Sequence, residues 1–444
     1  MSGIEVKLPS GGTPAEQLLK EMGEWRSNDA NWKDGRTWSL VYYPGEELYD
    51  FLKKSYTMFF AENGLNPGAF PSIRKFETEV VAMTASMLGG GPEACGAMTS
   101  CGTESIMMAI KTYRDKARAE HPEIKEPTMI VPETAHPAFY KAAHYLCVDV
   151  VRVPVGPDFR VDVEAVRAAV TDNTILIVGS APSYPQGVID PITELAALAQ
   201  EKGIGCHVDS CLGGFMLPFV RKLGYPLPQF DFAIPGVTSI SADVHKYGFA
   251  AKGASTIIFR DKELRKYMFY IFTEWSGGIY AHPTMTGTRP GGSFAAAWAI
   301  MKHLGEEGYL RIADNIMKTT KKLIDGIKSI PGLHVLGEPA MSVFAFTSDS
   351  FDIYSLADAM ETRGWHMDRQ MRPACLHLMV ALVHEKIADK FLADLRECAL
   401  SVAEIKNTAP EGTAAMYGMM GTLPDRGMVK EFVINYMDDL MSVK

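Results

Sequence analysis

From about residue 127 the chain alternates short β-rich runs with amphipathic stretches, and nothing else in it narrows the fold as far. Thr128–Val131, Val150–Val153 and Thr174–Val178 read as strands. Ala138–Leu146, Val163–Val170 and Ile192–Lys202 read as helices by their apolar spacing, the last of them ended by Gly203. Gly205–Asp209 and Ala254–Phe259 follow as further strands. Strands separated by helices of this length predict a mostly parallel sheet covered on both faces. Such a sheet binds its ligand beyond the carboxyl ends of the strands, which is where Asp209 falls. Farther on, an amphipathic helix from Gly308 to about Ile330 stops at Pro331-Gly332 and leads into a smaller α/β segment, with strands near Val343–Phe346 and His377–Val380. The expected organisation is an N-terminal arm over 1–66, rich in Trp and Tyr, a large domain over 67–300 and a C-terminal small domain over 301–444.

Composition removes several classes of function. An apolar fraction of 47% and a charged fraction of 22% are ordinary globular values. A formal net charge of −9 offers no field for a polyanion, and no cluster of Lys and Arg stands out, so no nucleic-acid partner is expected. The seven cysteines include no Cys-x-x-Cys pair, which argues against both a disulfide framework and a structural zinc. A reducing, cytoplasmic setting is expected. Pro9, Ser10, Gly11, Gly12 and Pro14 stand where a secretory signal would carry its apolar stretch, and no apolar run approaches the roughly 20 residues that span a bilayer. The aromatic run Tyr267–Phe272 reads as a buried strand or an interface in preference to a lipid-entry surface.

The chemistry concentrates around Lys246, in the run Ser239-Ile240-Ser241-Ala242-Asp243-Val244-His245-Lys246-Tyr247-Gly248. A lysine on a connection between elements of one sheet is placed to form a Schiff base with pyridoxal 5'-phosphate. Its amine attacks an aldehyde only when neutral, so a pKa of about 10.4 must be lowered, and an apolar pocket beyond a strand end is expected to do this. Ser100–Ser105 is a Gly- and hydroxyl-rich turn feeding a helix over Ile106–Arg118, which presents free backbone N–H groups to a phosphate. Alone, that turn is better explained by an ordinary helix cap; only beside Lys246 and Asp209 does it point to a phosphate. Asp209 can face a pyridine nitrogen, or cap a helix. His136 follows a strand end and can lie over a cofactor ring, and His245 can touch a phosphate or shuttle a proton. His207 and Asp209 share a strand face but lack a third ligand nearby, so no metal is expected.

With these residues in view, the chain resembles the pyridoxal-phosphate-dependent group that contains the amino-acid decarboxylases, and within it the sphingosine 1-phosphate lyase family. The matching segments are Phe70–Lys75, Gly102–Ser105, His207–Phe215, Gly236–Gly248, Gly277–Tyr280, Arg289–Gly292 and Met416–Met419, in family order over nearly the whole chain. The resemblance implies a fold type I pyridoxal-phosphate-dependent transferase fold and a homodimer with active sites at the subunit interface. It implies Lys246 as the attachment lysine, His136 on the ring, Asp209 on the pyridine nitrogen, and Gly102, Thr103, Ser241 and His245 around the phosphate. Gly287 and Thr288 are expected to reach the partner's site. Tyr184 and Lys252 fall where the family places polar groups near the reacting amine or the substrate phosphate.

The implied reaction is retro-aldol cleavage of a phosphorylated long-chain base to a fatty aldehyde and phosphoethanolamine, with Lys246, Tyr184 and a phosphate oxygen as candidates for the base. Cys101 replaces a glycine usual in eukaryotic members, and Val244 a threonine. Asn66, in Leu65-Asn66-Pro67-Gly68, stands where those members carry histidine; it can hydrogen-bond a substrate phosphate but brings no positive charge. The N-terminal membrane anchor of eukaryotic members is not expected here. An amino-acid α-decarboxylase shares the same constellation and differs only in the bond broken. A non-catalytic pyridoxal-phosphate carrier is the alternative outside enzymes.

Overall fold

The computed structural model describes residues 6–404, 414, 417 and 426–443. Seven strands form the central sheet: β1 (Cys95–Thr99), β2 (Thr128–Pro132), β3 (Asp149–Val153), β4 (Thr174–Ser180), β5 (Gly205–Asp209), β6 (Ser239–Ala242) and β7 (Ser255–Phe259). Their order is β1-β7-β6-β5-β4-β2-β3, with β7 alone running against the rest. All seven residues of β4 are buried, which is why this strand reads as an unbroken apolar run. Neighbouring residues feed opposite cores. Met129 and Val131 pack with Ile106 and Ile110 of the helix Gly102–Glu120, while Ile130 and Ile177 join Leu195 and Leu198 of the helix Ile192–Lys202. Each such side chain contributes about 1.5–3 kcal/mol when fully buried, so the alternation of sides holds the sheet between its helices.

The hairpin β8 (Tyr270–Trp275) and β9 (Gly278–His282) projects from this body. Every residue of β8 is exposed, so the run expected as a buried strand is not one within a single chain. The hairpin is anchored at its base, where Lys111 donates to the carbonyls of Tyr267, Met268 and Phe269 at 2.8, 3.0 and 2.8 Å.

Beyond it, one helix spans Gly291–Lys328, broken at Gly305 (φ 55°). The helix expected from Gly308 is its second half. The first half begins at a Gly-Gly pair that reads locally as a loop, yet a Cβ on Gly292 would meet the Tyr56 ring and carbonyl at 2.8 Å, so close packing requires glycine there. A second sheet, antiparallel in the order β10-β11-β13-β12, comprises β10 (Leu333–Val335), β11 (Val343–Ser348), β12 (Asp368–Met371) and β13 (Ala374–Met379). The arm is not a loose extension throughout. Trp38 is fully buried, stacked on His384 at 4.2 Å and packed on Phe391, and Thr37 bridges to His366. That contact carries Ser39, Leu40 and Tyr42 to the carboxyl ends of the central strands. No helix among the described residues is long and apolar enough to cross a membrane.

Candidate active site

At those strand ends lies a cavity of about 360 Å³, a size that suits a small ligand. The segments following β1, β2, β4, β5 and β6 each contribute to it: Gly102 and Thr103, His136, Tyr184, Asp209, and His245 with Lys246. Seven of the residues expected from the sequence therefore share one wall-to-wall site.

The helix after β1 starts at Gly102, so Gly102 and Thr103 occupy its first turn and Cys101 caps it without a side-chain bond. The unpaired N–H groups of that turn favour an anion. A Cβ at Gly102 would lie 2.8 Å from both Asp243 Oδ2 and Cys211 Sγ, so glycine alone leaves this corner open. Asp209 ends β5. Its Oδ1 accepts from Cys211 N–H at 3.1 Å and lies 3.3 Å from Ser241 Oγ, while Oδ2 accepts from none of the described residues and is available to a ring N–H. His136 accepts the Ala138 N–H at Nδ1 (3.1 Å), which leaves its proton on Nε2; burial lowers its pKa, so the ring is neutral at pH 7. His245 is pushed down to about 4, chiefly by burial, and accepts the Ala254 N–H at Nδ1 (3.2 Å).

Lys246 departs from expectation. Its Nζ sits 3.1 Å from Asp243 Oδ2, and Asp243 is itself buried and bonded to Ser255 Oγ. Burial alone would lower the lysine's pKa, but the charges of Asp243 and Asp209, with Cys211, override it and hold the ammonium above its ordinary value. The pocket thus stores the lysine charged instead of neutralising it, because a carboxylate three residues back faces it. Asp243, three residues before Lys246, belongs to the site although no expectation from the sequence includes it.

Ser241 is not among the residues that line the cavity. It is fully buried beside Asp209, its partner in the β5–β6 register, with Oγ 3.3 Å from Asp209 Oδ1, His207 Nε2 and Cys211 Sγ. Its hydroxyl braces the aspartate. Asn66 is exposed and outside this cavity; its Oδ1 accepts from Gly68 N–H (3.0 Å) and Ala69 N–H (3.2 Å), closing the turn before the helix Pro71–Met87 and leaving its amide hydrogens free of those bonds. Lys252 lies at the margin, its ammonium 5.5 Å from the ring centre of Tyr42, which lines the cavity. Gly287 and Thr288 are also outside the cavity of their own chain. Their loop is tied to the phosphate-type turn through buried Glu104, which accepts from Met285 and Thr286 N–H at 3.0 and 3.2 Å and from Ser100 N–H at 2.6 Å. Of the segment Met416–Met419, all but Tyr417 lies outside the described residues.

Lysine, ring-facing carboxylate, neutral histidine and an anion-binding turn fit pyridoxal 5'-phosphate on their chemistry. The family model described as the pyridoxal-dependent decarboxylase conserved domain matches residues 31–348, and the mostly parallel seven-stranded sheet with its small antiparallel partner is the fold type I arrangement of such enzymes. A sphingosine-1-phosphate lyase of Oryza sativa subsp. japonica is 46% identical over 98% of this chain and 82% of its own length; sphingosine-1-phosphate lyase 1 of Rattus norvegicus is 43% identical over 98% and 77%. The solved sphingosine-1-phosphate lyase of Burkholderia pseudomallei K96243 superposes with a TM-score of 0.91 at 40% identity, covering 100% of this chain and 98% of that one. The chain belongs to the sphingosine-1-phosphate lyase family of pyridoxal-dependent enzymes, and its cofactor is pyridoxal phosphate.

Proposed function

We propose that the protein cleaves sphingosine 1-phosphate and related long-chain base phosphates to a fatty aldehyde and phosphoethanolamine. One observation carries this choice over amino-acid decarboxylation. The cavity that unites Lys246, Asp209 and His136 has no arginine among the described residues lining it, and it contains Asp368. A substrate carboxylate has no bidentate partner there and meets a like charge. The phosphate of a phosphorylated amine is also an anion, but a methylene and an oxygen hold it away from the amine-bearing carbon, within reach of Lys252 at the cavity margin beside Tyr42.

Pyridoxal phosphate, when bound, supplies an electron sink for the pair released as the carbon–carbon bond breaks. Lys246 would be the attachment point. Asp209, braced by Ser241 and the Cys211 N–H, keeps a proton on the ring nitrogen. His136 would cover the ring, and Gly102, Thr103 and His245 would hold the cofactor phosphate. Tyr184 meets the reacting part of the substrate. Lys252 binds the substrate phosphate by charge, and Asn66, outside the cavity of its own chain and next to Leu65 at the Gly287 loop, offers its amide hydrogens to the substrate phosphate in the partner's site.

The active unit is a homodimer, with Gly287 and Thr288 serving the partner's site. The exposed Tyr270, Ile271, Phe272 and Trp275 of the hairpin support this, since contiguous apolar residues of that kind mark an interface. Ile271→Asp is expected to shift the sedimentation coefficient to that of a monomer; an unshifted dimer would remove the hairpin from the interface.

The decisive experiment incubates purified, cofactor-loaded protein with sphingosine 1-phosphate and assays aldehyde and phosphoethanolamine, alongside a panel of amino acids assayed for CO₂. Both lyase products without CO₂ are expected, and Lys246→Ala should lose turnover together with the visible absorbance of lysine-attached cofactor. CO₂ from an amino acid without the lyase products would overturn the reading.

A further inference from the structure

Asp368 lines the cavity although nothing in its local sequence marks it. It is the first residue of β12, and both carboxylate oxygens are engaged: Oδ1 accepts from Ser39 Oγ at 3.1 Å, and Oδ2 accepts from Tyr184 Oη at 2.9 Å. The tyrosine is fixed from behind as well. Its ring stacks on His377 with centroids 4.3 Å apart, and His377 lies directly across the β12–β13 ladder from Asp368. His377 in turn donates from Nδ1 to the Pro185 carbonyl at 3.1 Å. A segment after β4, a segment of the arm and two strands of the small sheet thus cooperate to aim one phenol at one carboxylate.

We propose that Tyr184 and Asp368 work as a proton-handling pair in the carbon–carbon cleavage, with Tyr184 receiving the substrate hydroxyl proton as Asp368 accepts the proton Tyr184 releases. The inference rests on the lyase reading above. A phenol that donates to a carboxylate turns an oxygen lone pair toward whatever else it meets, so Tyr184 is an acceptor toward substrate. Burial, and then the Asp368 charge, push the Tyr184 pKa up, so a free tyrosinate is not the base at neutral pH. Passing the proton on removes that obstacle. The step balances: the hydroxyl hydrogen goes to Tyr184 Oη and the Tyr184 hydrogen to Asp368 Oδ2. The freed oxygen pair forms the aldehyde carbonyl, and the pair of the broken bond stays with the amine-bearing carbon. The proton then returns through Tyr184 to that carbon, and the pair ends as it began. Tyr184 is the catalytic residue; Asp368 acts through it.

The test uses cofactor-loaded wild type, Tyr184→Phe, Asp368→Asn and the double variant, with a phosphorylated long-chain base as substrate. Each single variant should lower kcat by about 10²–10⁴ with the cofactor absorbance retained, and the double should be no worse than the poorer single, as for groups acting in one step. Added formate should restore turnover to Asp368→Ala but not to Tyr184→Phe, a result no purely structural role produces. If Asp368→Asn does not fold, Asp368→Glu keeps the charge and must retain more turnover than Asp368→Ala. Wild type that releases neither product sinks the lyase reading and this step with it. Wild type that releases both, beside an Asp368→Asn variant with undiminished kcat or with losses that multiply in the double, sinks the pair alone.

Discussion

Replacing Asp243 by Asn should move two observables in opposite directions. In the cofactor-free protein Asp243 is buried and its Oδ2 lies 3.1 Å from Lys246 Nζ. Removing one member of a buried pair costs about 3–5 kcal/mol. A quarter of the Lys246 side chain still reaches solvent, so water recovers part of this and about 3 kcal/mol is the expected loss. Because the folded lysine titrates above its unfolded value, the stabilisation is complete below the unfolded pKa of about 10.4 and fades only as pH rises through the folded one. At pH 7 the whole loss should therefore appear in the denaturation curve.

The same 3 kcal/mol corresponds to a fall of about two pKa units for the amine, since each unit is about 1.36 kcal/mol. Free amine at neutral pH then rises by about 100-fold, and pyridoxal phosphate should attach faster although the protein is less stable. The assay mixes cofactor-free protein with pyridoxal phosphate and follows visible absorbance from pH 7 to 9, beside urea denaturation at pH 7. A folded Asp243→Asn protein that attaches cofactor at the wild-type rate, with the wild-type pH dependence, would refute the claim that this ion pair stores the lysine charged.

Gly102→Ala drives a methyl group against Asp243 Oδ2, which is paired with Lys246, and against buried Cys211 Sγ, so a cost of about 1–3 kcal/mol and weaker pyridoxal phosphate binding are expected; unchanged cofactor affinity in an equilibrium titration would contradict the cradle. His384 is buried between the Ala381 N–H and the Thr37 carbonyl and is pushed down to about 4 by that burial, so between pH 6.5 and 4 the unfolded chain binds the extra proton and stability falls as pH falls. From pH 7 to 5 this one residue should cost about 2 kcal/mol in urea denaturation, and His384→Gln should shrink the acid loss by that amount; an equal loss in the variant would dismiss it. Removing the Lys252 charge should raise KM for phosphorylated substrates, whereas an equal loss on unphosphorylated analogues would count against a phosphate role.

What could be read in advance divides along sequence separation. β2 and β4 are legible because strands buried on both faces are apolar almost throughout, and the edge strand β3, with only Val153 buried, by its β-branched residues; His136 follows β2, Asp209 ends β5 and Gly102 opens the helix Gly102–Glu120, each within a few residues of a recognisable strand or helix signal. β6 is harder: Ser239-Ile240-Ser241-Ala242 carries small polar residues because its hydroxyls bond to His207 and Asp209, so the demands of the site overwrite the strand pattern.

Asp368 is of another kind. Its partners are Tyr184 and Ser39, the second 329 positions away, and they meet because Trp38 is buried against Trp365, His384 and Phe391 while the small sheet lies against the large domain. No local pattern encodes such a meeting. An arm reads as peripheral when its own helices are polar, yet here the short stretch from Thr37 to Tyr43 is what closes the cavity. The cavity wall that separates a lyase from a decarboxylase is therefore assembled from the segments least legible in the sequence, whereas the residues both chemistries share lie beside the best-marked strands.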